Sequence, residues 1–290
     1  MPVIPDGPTL EVGAVTTRAE LPPDGELALG PVRLPAGRGR VLEALAPEPA
    51  APVAWLTDEP VPEPGRVWRE LSQACACTGL VPFVAAAMER RENRDRPWGS
   101  GELDEPQDAA LADDLDPGQL LRQQWEERWP VSGDSEELEW AEERTAPFGR
   151  EFPGLAPFIT ERLDPARLAG ALRRLRRPER IGLVPAARPA DVLPAIGWIP
   201  ANWTDWTMPV TAILRSWEDR FGARLVQVEN GAITLLVERP PRDQAAAQRI
   251  AAELFLFADE IHLRRRWALT TVSEITPRLV DTPMWRCWWD

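Results

Sequence analysis

Met208-Pro209-Val210-Thr211-Ala212-Ile213-Leu214-Arg215-Ser216-Trp217-Glu218-Asp219-Arg220-Phe221-Gly222, continuing as Ala223-Arg224-Leu225-Val226-Gln227-Val228-Glu229-Asn230-Gly231-Ala232-Ile233-Thr234-Leu235-Leu236-Val237-Glu238, is the stretch on which the fold turns. Pro209 suits a first helical turn, where its missing N–H costs nothing, and Gly222 suits the left-handed residue that ends a helix. Between them Val210, Ile213, Leu214, Trp217 and Phe221 form one apolar face. Arg215 and Asp219 stand four residues apart on the outer face, where they can pair. Asn230-Gly231 then supplies the two positive-φ residues of a type I′ turn between strands at 224–229 and 232–238. A two-residue turn sets Val228 opposite Ile233 and Val226 opposite Leu235. Val226, Val228, Ile233, Leu235 and Val237 therefore share one face.

Working outward, Pro240-Pro241 breaks the chain and Asp243 caps a second helix, in which Ile250, Leu254 and Phe257 fall on one side. Helix, hairpin and helix can bury those faces against one another. The closing Trp285-Arg286-Cys287-Trp288-Trp289-Asp290 is apolar enough to be a docked strand. The fold class expected is α+β: a mixed or antiparallel sheet with packed helices and a C-terminal helix–hairpin–helix–strand unit.

Upstream the pattern is more broken. Thirteen of the 32 prolines lie between Pro2 and Pro64, which favours extended segments and turns there. Strands are expected at 9–17, 26–34, 40–45 and 53–57, and a helix at 65–76 that Gly79 stops. Residues 80–87 read as a strand, with Pro82 calling for an edge position or a bulge. Asp116-Pro117 and Asp164-Pro165 each offer a cap and a first turn, with Leu120, Leu121 and Trp125 following one and Leu168, Leu172 and Leu175 the other. Residues 180–185 suit a strand and 190–196 a short helix, while a mobile loop is expected between Gly99 and Asp114. Two regions result: 1–146, Pro-rich and strand-containing with an acidic, Trp-containing insert at about 99–146, and a C-terminal α+β domain at 147–290.

The chain has 290 residues, is 44% hydrophobic and carries a formal charge of −13. That length and apolar content suffice for a sizeable core. Residues 102–143 hold 15 acids against 2 arginines, so this one segment accounts for the whole excess. Nucleic acid is excluded as an expected partner, because binding it needs a cationic field. An acidic tract suits a basic protein partner or serves as a solvated face. The opposite feature, Arg167, Arg173, Arg174, Arg176 and Arg177, lies on the polar side of a leucine-bearing helix. It can bind phosphate, meet an acidic partner, or simply face water. All basic residues are Arg, so the choice of Arg over Lys carries no information here.

Catalytic and ligand chemistry is thinly represented. His262 is the single histidine, placed beside Arg264-Arg265-Arg266 beyond a helix end, which suits a surface residue better than a general base. Cys75, Cys77 and Cys287 lack zinc-site spacing, so neither a metal nor a cofactor is expected. The odd cysteine count and the Met1-Pro2-Val3-Ile4 start, with neither a basic nor an apolar leader, point to reduced thiols and a cytoplasmic location. No apolar run is long enough to span a membrane. Glu218/Asp219 and Asp259/Glu260 are adjacent pairs, which a helix points about 100° apart; pairing with Arg215, Arg220 or Arg224 is expected of them. The stretch from Trp198 to Thr207, with Asn202, Trp203, Asp205 and Trp206, mixes indoles with polar groups and is the candidate binding segment.

Gly197-Trp198, residues 213–224, Arg239-Pro240-Pro241, Ala251-Ala252-Glu253 and Trp288-Trp289-Asp290 together resemble a family frequent in actinobacteria and catalogued as domain of unknown function 4253. Arg96-Pro97-Trp98 with Gly101-Glu102-Leu103 looks similar to its upstream region, extending the resemblance over most of the chain. Members often follow Ala-Ala-Glu with His, then Phe and Cys-Pro-Asp, where this chain has Leu254, Phe255 and Ala258-Asp259-Glu260. That departure suits a structural role for the helix. The resemblance implies no activity. The function expected is a non-catalytic protein-interaction role, immunity-like or regulatory, in the bacterial cytosol; the alternative is a carboxylate-dependent hydrolase with a Trp-lined cleft. The alternative requires two acids and an Arg to converge in a concavity with one acid desolvated.

Overall fold

The computed structural model describes residues 20–40, 51–87, 96–99, 102–130, 135–200, 206–263 and 269–289. They form an α+β structure of eight α-helices and one nine-stranded, mostly antiparallel open sheet. The strands are β1 (Gly25–Leu29), β2 (Val32–Arg40), β3 (Ala54–Thr57), β4 (Leu80–Ala85), β5 (Arg180–Pro185), β6 (Ala223–Glu229), β7 (Ala232–Val237), β8 (Glu260–His262) and β9 (Met284–Trp288). Their spatial order is β1-β2-β3-β5-β4-β6-β7-β9-β8, and only β4 and β6 run parallel. Because β5 lies between β3 and β4, the regions on either side of residue 146 share one sheet.

Helices cover both faces, which is why the central strands are apolar on both sides. On one face lie α2 (Pro117–Glu127), α3 (Ser135–Thr145), α6 (Thr207–Phe221), α7 (Gln244–Phe257) and α8 (Val272–Leu279), enclosing a core that includes Trp125, Trp217, Phe257 and Trp285. On the other lie α1 (Pro64–Thr78) and α4 (Pro165–Leu172), closing a smaller core around Trp55, Trp68, Leu172 and Val226. The short α5 (Val192–Ala195) leads into residues 196–200.

The decisive stretch folds largely as its pattern dictates. Gly222 sits at φ 63° and closes α6, and Asn230-Gly231 turns β6 into β7 with Val228 opposite Ile233. One residue departs: a bulge in β6 sets Leu225, not Val226, opposite Leu235. An extra residue in a strand reverses the side-chain alternation beyond it. Leu225 therefore joins Val228, Ile233 and Leu235 against α6 and α7, and Val226 joins the opposite core.

Other expectations are corrected by local turns. The single strand expected over 26–34 is a hairpin, because Gly30 adopts φ 56° ahead of Pro31 and returns the chain as β2. Arg40 ends β2, while 41–45 and the strand expected at 9–17 lie outside the described residues. The strand with Pro82 is central, not at an edge. Pro82 is accommodated because β6 pairs with β4 only at Val84 and Ala85, and the Pro82 carbonyl accepts from Trp68 Nε1 at 3.0 Å. The loop expected between Gly99 and Asp114 is docked: Asp104 N–H reaches Gly197 O at 2.7 Å, Gln107 N–H reaches Pro194 O at 2.9 Å, and 109–112 form a 3₁₀ turn.

One buried ion pair joins α6 to α7. Glu253, fully buried, accepts from Arg220 through both oxygens (2.8 and 2.6 Å), from Ala156 N–H (2.6 Å) and from Trp217 Nε1 (2.7 Å). Arg220 also donates to Ala156 O at 2.8 Å and Ser216 Oγ at 2.9 Å. Such a cluster tolerates burial only while every member stays bonded. Glu253→Ala, which leaves the Arg220 charge buried, is expected to cost about 3–5 kcal/mol of unfolding free energy. Urea titration checks this, and a loss below about 1 kcal/mol would contradict the reading.

Candidate functional site

Where β4 and β6 diverge, the end of the sheet opens into a polar cleft of about 410 Å³. Pro82 has no N–H to offer a neighbouring strand, so the pair stays unzipped below Val84 and the gap remains. Trp68 and Ser72 of α1 form one wall. Arg188, from the turn after β5, faces the last turn of α6 with Glu218 and Asp219, and Glu238 and Arg239 enter from the end of β7.

The charges interlock. Glu218 accepts from Arg188 Nε at 2.5 Å and from Ala190 N–H at 2.7 Å, and Arg188 Nη2 also donates to Asp219 Oδ1 at 2.7 Å. The adjacent acids, which a helix turns apart, thus meet one guanidinium, because its fork spans both. Arg239 donates to Asp219 O at 2.8 Å, placing a cation at the negative end of α6. Glu238 pairs with Arg224 at 3.3 Å and with Arg162 at 3.5 Å. Burial pushes Glu218 up to about 7, against the opposing pull of Arg188 and the Ala190 N–H.

The pairing expected for these groups is revised. Arg215 does not reach Asp219; it turns to Asp191 at 2.7 Å and Asp113 at 2.5 Å, clamping the acidic segment onto α6. Arg188 carries no spacing signal that links it to Glu218. Only the antiparallel placement of β5 beside β4 brings the two together.

The tryptophan-bearing segment is distributed differently. Trp198 is 1% exposed, donates Nε1 to Glu229 O at 2.9 Å and meets Trp289 edge-on at 5.3 Å, so its indole is core, not surface. Trp206 is half-buried and packs on the same core. Asn202, Trp203 and Asp205 lie outside the described residues. Trp98, Trp125 and Trp129 of the acidic segment are buried as well, which leaves Trp140, 51% exposed, as that segment's accessible indole among the described residues.

The nucleophile and base candidates stand apart. His262 lies on β8, not on a free surface: its ring packs on Trp288 at 5.8 Å and Nε2 meets Glu260 at 3.1 Å. Burial and then Arg286 lower its pKa, against Glu260. Burial pushes the Cys287 thiol up, away from thiolate formation. Among the described residues, no three His, Cys, Asp or Glu side chains are arranged to hold a metal ion. Among them, too, no helix is long and apolar enough to cross a membrane.

The architecture is thus an α+β protein with helices on both faces of an open sheet and a charged cleft at one end. From β5 onward, residues 180–290 match the family model described as a domain of unknown function, DUF4253. The match does not extend to 96–103. No curated protein and no solved structure matches the chain. Leu254 and Phe255 are both buried in the core.

Glu218 gives the cleft a measurable signature. A carboxyl with its folded pKa at about 7, above its unfolded value, holds more protons folded than unfolded between the two pKa values. This group's contribution to stability is therefore greatest below the unfolded pKa and falls as pH rises to about 7. Glu218→Gln does not titrate, so its stability relative to the parent should improve across that window and level off above it. Thermal unfolding of both proteins at several pH values tests the sign, and a pH-independent difference would refute it.

Proposed function

We propose that the chain is a non-catalytic interaction protein, immunity-like or regulatory, acting in a bacterial cytosol. It docks a basic protein partner through the outer face of α2 and α3. The observation that carries this reading is an exposed indole set in a carboxylate field. Glu136, Glu137, Glu139, Glu142 and Glu143 are exposed along α3, Glu126 and Glu127 along α2, and Trp140 stands among them with Arg144 4.5 Å from its ring centre. The inner sides of both helices are anchored by Leu121, Trp125 and Ala141, so the charged face is held on a rigid layer. An aromatic anchor with a charged surround matches interface energetics, and a concentrated field of one sign speeds encounter with the opposite sign.

Affinity capture from the source cell's lysate, comparing the parent chain with Trp140→Ala and with Glu139→Arg/Glu143→Arg, tests it. A basic protein should be retained by the parent, weakened about tenfold or more by Trp140→Ala, and released as salt shortens the Debye length. Identical retention by parent and variants, or no retention, would sink the reading.

A second reading, carboxylate-dependent hydrolysis, is supported by the convergence of Glu218, Asp219 and Glu238 with arginines beside Trp68. Against it, Glu218 already accepts from Arg188 and Ala190, Glu238 faces two arginines, and Ser72 Oγ is bonded to Trp68 O at 2.8 Å. Turnover of a model phosphate or carboxylic ester that disappears in Glu218→Gln would favour it.

A further inference from the structure

The face of the sheet opposite α2 and α3 carries the complementary charge. Between the first turn of α1 and the residues that end α4 lies a cavity of about 580 Å³, walled by Arg66 and Arg69 on one side and Arg173, Arg174 and Arg176 on the other. Its volume falls within the ~300–1,000 Å³ range of small-molecule sites. Among the described residues, Glu63 is the only acid in its lining. Arg66 is held by Glu63 at 3.2 Å and Glu70 at 2.9 Å. The side chains of Arg69, Arg173, Arg174 and Arg176 make no ion pair among the described residues.

The two walls are brought together by a backbone approach. A Cβ on Gly65 would lie 2.4 Å from Leu172 O, so only a residue without a side chain lets α1 meet the end of α4 this closely. Leu172 is buried beneath the arginines and Leu175 packs on the same core, which fixes the outward side of this turn. A stripe of arginines on one helix face is ordinarily solvated. Here α1 adds Arg66 and Arg69 to the same concavity, and like charges lining one cavity favour an anion placed among them. Their planar forks match phosphate oxygens in pairs.

We propose that this cavity binds a compact anion carrying two or more phosphate groups. Neither the cleft at Glu218 nor the acidic face shares a residue with it, so the proposal stands apart from the function proposed above. A long nucleic acid fits less well, because the chain carries a net charge of −13 and offers no extended cationic track beyond this cavity among the described residues.

The test uses the full chain, with inorganic triphosphate, monophosphate and a mixed-sequence single-stranded oligonucleotide as probes, ionic strength being matched with sodium chloride. Triphosphate should raise the Tm saturably, as a ligand of the folded state does, and more than monophosphate. Arg69→Gln/Arg173→Gln should weaken triphosphate binding about tenfold or more, each lost charge-assisted contact contributing. Its ligand-free Tm should stay close to the parent's, since neither side chain makes an ion pair among the described residues. Arg122→Gln, on the opposite layer, should bind as the parent does. The proposal fails if triphosphate gives no shift beyond matched chloride, or if the cavity variant responds like the parent. It also fails if the oligonucleotide binds more tightly than triphosphate.

Discussion

A carboxylate and a guanidinium inside a hydrophobic core impose a strict condition on everything around them. Glu253 on α7 is bonded by Arg220 and Trp217 of α6 and by the Ala156 backbone, while Arg220 returns a bond to the Ala156 carbonyl. Three separate segments therefore have to arrive in one register, or two charges are left in an apolar medium at a cost of several kcal/mol. Apolar packing of Trp217, Phe257 and Trp285 tolerates small sliding; this bonding does not. The ion pair thus orients α6, and through α6 it sets the direction in which Glu218 and Asp219 leave the helix.

That direction matters because the sheet is incomplete at the same end. Pro82 keeps β6 from pairing along the start of β4, and the resulting gap admits Arg188 from one side and Glu238 and Arg239 from the other. A residue that breaks a ladder has here produced a cleft at the N-terminal ends of the one parallel strand pair. Charge is also partitioned between the layers. The carboxylates of α2 and α3 lie over one face of the sheet and the arginines around α1 and α4 over the other, so the acidic segment and the arginine stripe do not neutralise each other locally. Arg215, which binds Asp113 and Asp191, does the local neutralising on the acidic side.

Much of the framework was legible in residue order, since its signals are short-range. Asp116, Asp164 and Asp243 each accept from backbone N–H groups of the helices that follow them, and Gly222 and Asn230-Gly231 stop and turn the chain where expected. Thr271-Val272-Ser273-Glu274 carries the start signal of α8 in the same short-range way, with Thr271 Oγ1 accepting from Glu274 N–H. The candidate site was hardly legible. Trp198 and Trp206 looked available because indoles among polar residues suit recognition, yet the Glu229 carbonyl and Trp289, distant in sequence, draw Trp198 inside.

Residue order was enough for the α+β class, the caps, the hairpin and the family likeness over 180–290, because these depend on dihedral preference, periodicity and motifs within a few tens of residues. Tertiary structure alone decided that Val226 crosses to the other core, that β5 inserts between β3 and β4, that Arg188 holds Glu218, and that Gly65 lets two sets of arginines face one cavity. Each of these is a meeting of residues far apart in the chain. Its outcome depends on which surfaces pack, and side-chain order along one strand or helix holds no record of that.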